Sequence, residues 1–490
     1  VTALTALARA TAVTQGVAQP IATVRHVHLS SRPLVFVPLT LAGEANAPLA
    51  ALVGTSPSAP TLLIVPQPRN RSQRFEFAAN LAAVLVPYVD SFCTSAETVA
   101  PVRGEARQRF LDAPQILVPN GGGIGFVRLF GRSTRLRRTY GEYAVAPAVP
   151  LLGRWLTFFA ERAEHPGSSL LVGMTDALSL HWASGQSSLE DANLASLVGW
   201  IAPPAGESGA SAALAAEDPL LCPPAGPATD PSFDNEVLAP AIAAYEKSGS
   251  VSSLEYVLRG QLQPTWDLMW RAQSLLRALP SGARVEQRWA EDRDSFTGFV
   301  HYLADGGYPQ PRRDGAVAAA QRLARLEKAQ AAYEAQRAFD DPLVMASYRL
   351  TGEAFRGAVT SVQRDRVDAS GPRRKLRPWV TVSTSDPIRL EPGASVVSPA
   401  RPAQTGLVVS VSTGSSLTDV VLELSGGMGR SLTAPPGSVP EVGEELTYTT
   451  LSEAFQPVPA FPSRDATPWT HGGPPPEYVP TDADAVEDWS

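Results

Sequence analysis

Residues 373–450 read RRKLRPWVTVSTSDPIRLEPGASVVSPARPAQTGLVVSVSTGSSLTDVVLELSGGMGRSLTAPPGSVPEVGEELTYTT. Runs rich in β-branched and aromatic residues, at 379–384, 407–411, 419–424 and 445–449, alternate with turn dipeptides. Asp386-Pro387, Pro392-Gly393, Gly414-Ser415, Gly426-Gly427 and Pro436-Gly437 supply the breaks. Two-residue alternation bounded by such breaks marks short strands. About five of them at this spacing predict a small closed or half-closed β-barrel. The rest of the chain is divided outward from this module.

The 490 residues are enough for several domains. A long-helix pattern precedes the barrel. Within 233–370 the sequence predicts a helical domain, its clearest element being VAAAQRLARLEKAQAAYEAQRAF at 317–339. Asp341-Pro342 reads as an N-cap followed by proline at the first helical position. Residues 203–232, PPAGESGASAALAAEDPLLCPPAGPATDPS, are expected to be a linker or long loop. Helices over 151–163 and 188–198 are expected in a segment, 146–202, packed on the N-terminal region.

Residues 1–145 suggest an α/β domain with a mixed sheet. A helix over 2–16 is followed by strands at 24–29, 33–41, 49–53 and 61–65. A helix over 75–86 should stop at Pro87, and strands at 115–118 and 124–130 flank Asn120-Gly121-Gly122-Gly123. The expected class is therefore multidomain α+β: an N-terminal α/β domain, a helical middle and a C-terminal small β-barrel. An extended, Pro-rich and then acidic tail follows at 451–490. Its aromatics (Phe455, Phe461, Trp469, Tyr478 and Trp489) make it a candidate surface for a protein partner.

Composition excludes more than it identifies. Lys+Arg number 41 and Asp+Glu 48, a net charge of −7, so any nucleic-acid surface must be a local patch. Two cysteines, Cys93 and Cys222, are too few for a disulfide framework or a cysteine zinc cluster. No apolar run is long enough for a membrane span, and a cytoplasmic location is the expectation. GxxxxGK[ST], HExxH, CxxC and GxSxG are all missing, which removes the P-loop, the common zinc hydrolases and the nucleophile elbow. His26 and His28 are spaced to share a strand face, but no third ligand stands at motif distance. Glu291, Asp292 and Asp294 in RWAEDRDSF read as a solvated helix face. No cofactor or metal is called for.

The basic stretch FVRLFGRSTRLRRTYGEY carries the best candidate site. No acid occurs between Asp112 and Glu142. Arg128, Arg132, Arg135, Arg137 and Arg138 are interleaved with Phe126, Phe130 and Tyr140. Guanidinium groups beside aromatics suit phosphates and unstacked bases. A second cluster includes Arg374 and Lys375 at the entry to the barrel. The expected function is a non-enzymatic, nucleic-acid-associated accessory or scaffold protein. With no P-loop of its own, it would rely on a helicase or other NTPase supplied in trans.

Two alternatives stay open. The order helix–strand–strand–strand–helix–strand over residues 1–130 resembles the core of the PD-(D/E)xK nuclease-like family. That resemblance implies an acid near the second strand and (D/E)xK on the third, holding a divalent metal. Gln67-Pro68-Arg69 stands where the motif would fall, with Glu44 the only nearby acid upstream, so a divergent or inactive relative is what it implies. The other alternative is a protein–protein scaffold that binds no nucleic acid.

Overall fold

The computed structural model describes residues 2–44, 47–100, 105–219, 222–224, 226–454, 460 and 477–482. It forms two compact units, one built from residues 5–326 and the other from 327–454. Among the described residues no helix is long and apolar enough to cross a membrane.

The first unit is a three-layer α/β structure. Its sheet contains β1 (Leu34–Thr40), β2 (Pro48–Gly54) and β3 (Thr61–Ile64). Helix α1 (Arg71–Asp90) follows, then β4 (Ile116–Val118), α2 (Gly121–Thr134), α3 (Ala148–Ala163) and β5 (Leu171–Gly173). Two long helices come later, α4 (Ser252–Arg277) and α5 (Val285–Ala304). The strand order is β3-β2-β1-β4-β5. β1, β2 and β3 pair antiparallel, whereas β1, β4 and β5 pair parallel. Every residue of β1 is buried, as its unbroken apolar run LVFVPLT requires of a central strand covered on both faces.

The two faces of β1 define two cores. Leu34 and Phe36 pack with Phe77, Phe126, Trp155, Phe159 and Phe296 from α1, α2, α3 and α5. Val35, Val37 and Leu39 pack with Leu258, Leu262, Trp266 and Met269 of α4. The helices between 252 and 304 therefore complete the sheet's cores, so their apolar stripes are satisfied by strands far away in sequence. α4 runs unbroken through Pro264, and α1 runs through Pro87 to Asp90, past the predicted stop. Val89 and Phe92 lie in the same core as Leu81 and Leu85; that burial offsets the hydrogen bond lost at Pro87.

Two further expectations change. Residues 124–130 are helix, not strand: Asn120 caps α2 by accepting from the Gly123 N–H at 3.2 Å, and Phe126, Val127 and Phe130 form its buried stripe. Residues 24–29 form no strand; Arg25 alone makes an isolated bridge, with Ser281. Their backbone bonds go to other groups: Arg25 N–H to Pro280 O, His26 N–H to His181 Nε2, and His28 N–H to Ser169 Oγ. The 203–232 region carries a helix, Gly209–Glu217, and Pro227 and Thr229 exchange backbone bonds with Thr40 at the end of β1.

Helices α2 and α3 touch through glycines. A Cβ on Gly131 would stand 2.8 Å from Thr157 N, and one on Gly153 would enter the backbone of Arg135.

In the second unit the Asp341 side chain caps α6 (Pro342–Thr351), accepting from Leu343 N–H at 2.9 Å as the sequence predicts. Six strands then close a barrel: β6 (Ala354–Gln363), β7 (Trp379–Thr384), β8 (Ser395–Val397), β9 (Thr405–Thr413), β10 (Thr418–Ser425) and β11 (Glu445–Thr449). The order around the barrel is β6-β7-β10-β9-β8-β11. The module is thus the predicted small barrel, and of the closed and half-closed forms it is the closed one, with two strands more than the four runs quoted above. β6 lies within the stretch read as helical; its alternation is interrupted by Gly357 and by a bulge between Val359 and Ser361. Phe355, Val380, Val382, Val408, Val420, Leu422 and Leu446 fill its interior.

Candidate nucleic-acid interface

Burial and pairing sort the predicted arginines. Arg128 and Arg132, four residues apart, share the exposed side of α2. Arg128 is ion-paired with Glu164 at 3.0 Å, so a carboxylate competes there with any phosphate. Arg135 is buried, and its guanidinium donates to Gln310 O at 2.8 Å and Pro311 O at 3.0 Å. It anchors a loop and is not available to a ligand, which corrects the reading of it as a phosphate contact. It is the C-cap residue that follows α2, and its side chain turns inward.

The arginines after α2 meet a surface the sequence reading missed. Arg71, the first residue of α1, stands over the Phe75 ring at 4.6 Å and the Tyr143 ring at 5.5 Å. Its guanidinium donates to Tyr143 O at 3.1 Å. Arg137 also stands over Phe75, at 5.2 Å, and donates through Nε to Ser133 O at 2.8 Å. Arg138 lies 5.9 Å from the Tyr140 ring and is ion-paired with Asp482. Tyr140 and Tyr143 are 71% and 67% exposed, so two aromatic rings and several guanidinium groups face solvent together. Arg69, beside the α1 N-cap Asn70, adds an outward cation whose partner is Glu44 at 3.7 Å.

More than 60 positions separate Arg71 and Phe75 from Arg137 and Tyr143, and no local pattern links them. The signal available was Arg69, Arg71 and Arg74 in PQPRNRSQRF, a second basic run followed by an aromatic. Arg374 and Lys375 are exposed and belong to the other unit. Of the tail aromatics, Tyr478 is described and exposed, while Phe455, Phe461, Trp469 and Trp489 lie outside the described residues.

The other chemistry-bearing residues are tied into structure. Glu44 reaches Arg69 and, at 3.5 Å, Arg74, while Gln67 donates to Glu246 at 2.8 Å. The His28 ring stacks on Trp289 at 3.9 Å, and the His26 ring on His181 at 5.6 Å. Burial pushes the His28 pKa down to about 4, aided by the positive charges of Arg25, Arg277 and Arg293. Asp292 is not on a solvated face: it is fully buried and accepts from Arg162 at 2.9 Å, Ser168 Oγ at 2.7 Å and Ser169 N–H at 2.6 Å. Asp294 pairs with Arg107 at 2.6 Å. Among the described residues no three His, Cys, Asp or Glu side chains are grouped to hold a metal ion.

No family model, no curated protein and no solved structure matches this chain.

Proposed function

We propose that this chain is a nucleic-acid-associated accessory or scaffold protein that binds single-stranded nucleic acid through the Arg71, Arg132, Arg137, Arg138, Tyr140 and Tyr143 surface. The observation that carries the reading is the joint exposure of Tyr140 and Tyr143 beside the guanidinium groups of Arg71 and Arg138. Guanidinium groups neutralise phosphates, and exposed rings stack on unpaired bases whatever their sequence. The start of α1 adds the positive end of a helix dipole next to Arg69 and Arg71. An NTPase partner supplied in trans fits a chain without a P-loop.

The test is anisotropy of a labelled single-stranded oligonucleotide at several salt concentrations. Affinity should fall linearly on a log–log plot against salt, by ~0.7 per phosphate neutralised. Replacing Arg71, Arg137 and Arg138 by Glu should flatten that slope by about 2. Tyr143→Ala should cost about 1–3 kcal/mol for single strands and much less for duplex. Absent binding, or binding indifferent to salt and to these substitutions, overturns the proposal.

A further inference from the structure

At one end of the barrel three polar side chains, Ser398, Gln404 and Tyr448, are buried against its core. β8 pairs with β11 at Val397–Thr449 and with β9 at Val397–Thr405. One step beyond, antiparallel register sets Ser398 beside Tyr448 on one side and beside Gln404 on the other. The burial pattern obeys the same alternation. Val396 and Ser398, Gln404 and Val408, and Leu446 and Tyr448 are buried, while Thr405 and Leu407 are exposed. Ser398 and Tyr448 are each 2% exposed and Gln404 is 7% exposed. Val396, Val408, Leu424 and Leu446 surround them in the barrel core.

Their bonding is incomplete. Gln404 Nε2 donates to Ser438 O, but its Oε1 has no partner among the described residues. Ser398 Oγ and Tyr448 Oη have none either. Buried polar atoms in folded proteins almost always have a partner, supplied by protein or by ordered water. Three such orphans, Tyr448 on β11 and Ser398 and Gln404 at the two ends of the turn that links β8 to β9, point to one shared partner. The turn holding two of them is rigid: Arg401 N–H donates to Ser398 O and Gln404 N–H to Arg401 O, both at 2.9 Å. Arg401 is itself fixed by two bonds to Glu444 at 3.0 Å and one to Gly437 O at 3.1 Å. Burial raises the Tyr448 pKa, so its hydroxyl keeps its proton and can donate.

We propose that this end of the barrel is an internal water site, held by Gln404 Oε1, Ser398 Oγ and Tyr448 Oη. The chemistry of the three atoms selects the ligand. Gln404 Oε1 can only accept, so an anion cannot satisfy it. A cation would lie near the Arg401 guanidinium and could not accept from the phenol. Water donates to the amide oxygen, accepts from the phenol and bonds the serine hydroxyl, which makes the three bonds usual for a buried water. Bound there, it joins β9, β8 and β11 just past the last paired residues of the short β8, and it fixes the 398–404 turn to the barrel.

The sign of one substitution separates a hydrated site from a dry one. If the phenol were dry and unpaired, Tyr448→Phe would remove a buried orphan and leave the barrel equally or more stable. With water present, the change deprives that water of its donor. Hydrogen exchange of barrel amides in the full chain should then quicken about threefold to tenfold, and combining it with Ser398→Ala should cost less than the product of the two single effects. A crystal structure of the unaltered chain gives the independent check. An ordered solvent peak within hydrogen-bonding distance of these atoms supports the site. A direct Ser398–Tyr448 bond with no solvent between, or Tyr448→Phe without loss of protection, overturns it.

Discussion

Replacing Asp292 by Ala should destabilise the first unit severely, and the reason can be followed atom by atom. Asp292 is fully buried on α5 and takes three hydrogen bonds: Arg162 and Ser168 on Oδ1, and the Ser169 N–H on Oδ2. Ser169 immediately precedes the Leu170-Leu171 entry to β5, so the carboxylate joins α3, α5 and the sheet edge. Burial pushes its pKa up, against the pull of Arg162, which means that ionisation there is costly and tolerated only because the donors converge. Removing the carboxylate leaves the Arg162 guanidinium and two donors without an acceptor. Breaking a buried pair from one side costs about 3–5 kcal/mol. Because the Arg162 side chain keeps 17% exposure, the lower half of that range, about 3–4 kcal/mol, is expected. Urea unfolding followed by tryptophan fluorescence reads this directly, since Trp289 and Trp155 lie in the adjoining core. With an m-value of ~3 kcal/mol/M the midpoint should drop by about 1 M. Changing Arg162 to Met in the same chain should recover a substantial part of the loss, because the stranded charge is then gone. A drop below about 0.3 M for Asp292→Ala alone would refute the account of Asp292 as the joint of these elements.

Three further outcomes follow from the same geometry. The folded pKa of His28, near 4, is below its ordinary 6.5, so the unfolded chain binds more protons between those values; stability is complete above pH 6.5 and falls as pH drops toward 4. That loss is worth up to about 3 kcal/mol, and His28→Gln should flatten the profile of urea midpoint against pH in that window. Gly153→Ala would place a methyl in the Arg135 backbone and force α2 from α3, costing about 2–4 kcal/mol and loosening the 310–311 loop that Arg135 holds; thermal unfolding and exchange at Arg135 check it. If the arginine surface binds nucleic acid, Asp482→Asn should raise oligonucleotide affinity by up to about fivefold, because an exposed carboxylate competing for Arg138 is worth at most ~1 kcal/mol; unchanged affinity at low salt would show that the pair does not compete.

What the sequence determined by itself was local. Alternation and turn chemistry settled the barrel strands at 379–384 and 445–449, because each strand's inward positions recur every second residue within it: Val380, Val382 and Thr384 in one, Leu446 and Tyr448 in the other. Asp341-Pro342 settled a helix start, because a cap acts within one turn. Tertiary structure decided whatever depended on distant partners. Residues 124–130 could be read as strand or helix until the cores opposite Phe126 and Phe130 were known. Pro87 looked like a stop until burial of Val89 and Phe92 outweighed it. Glu291, Asp292 and Asp294 share one charge pattern, yet only Asp292 faces Arg162 and Ser169, which are more than a hundred positions away. The candidate site divides in the same way. Five arginines in 128–138 were legible, but which of them face solvent depended on how α2 lies against α3 and the sheet. Arg71, Phe75 and Tyr143 joined them only through the packing of α1, since side-chain proximity between segments is a property of the fold and leaves no trace in either segment alone.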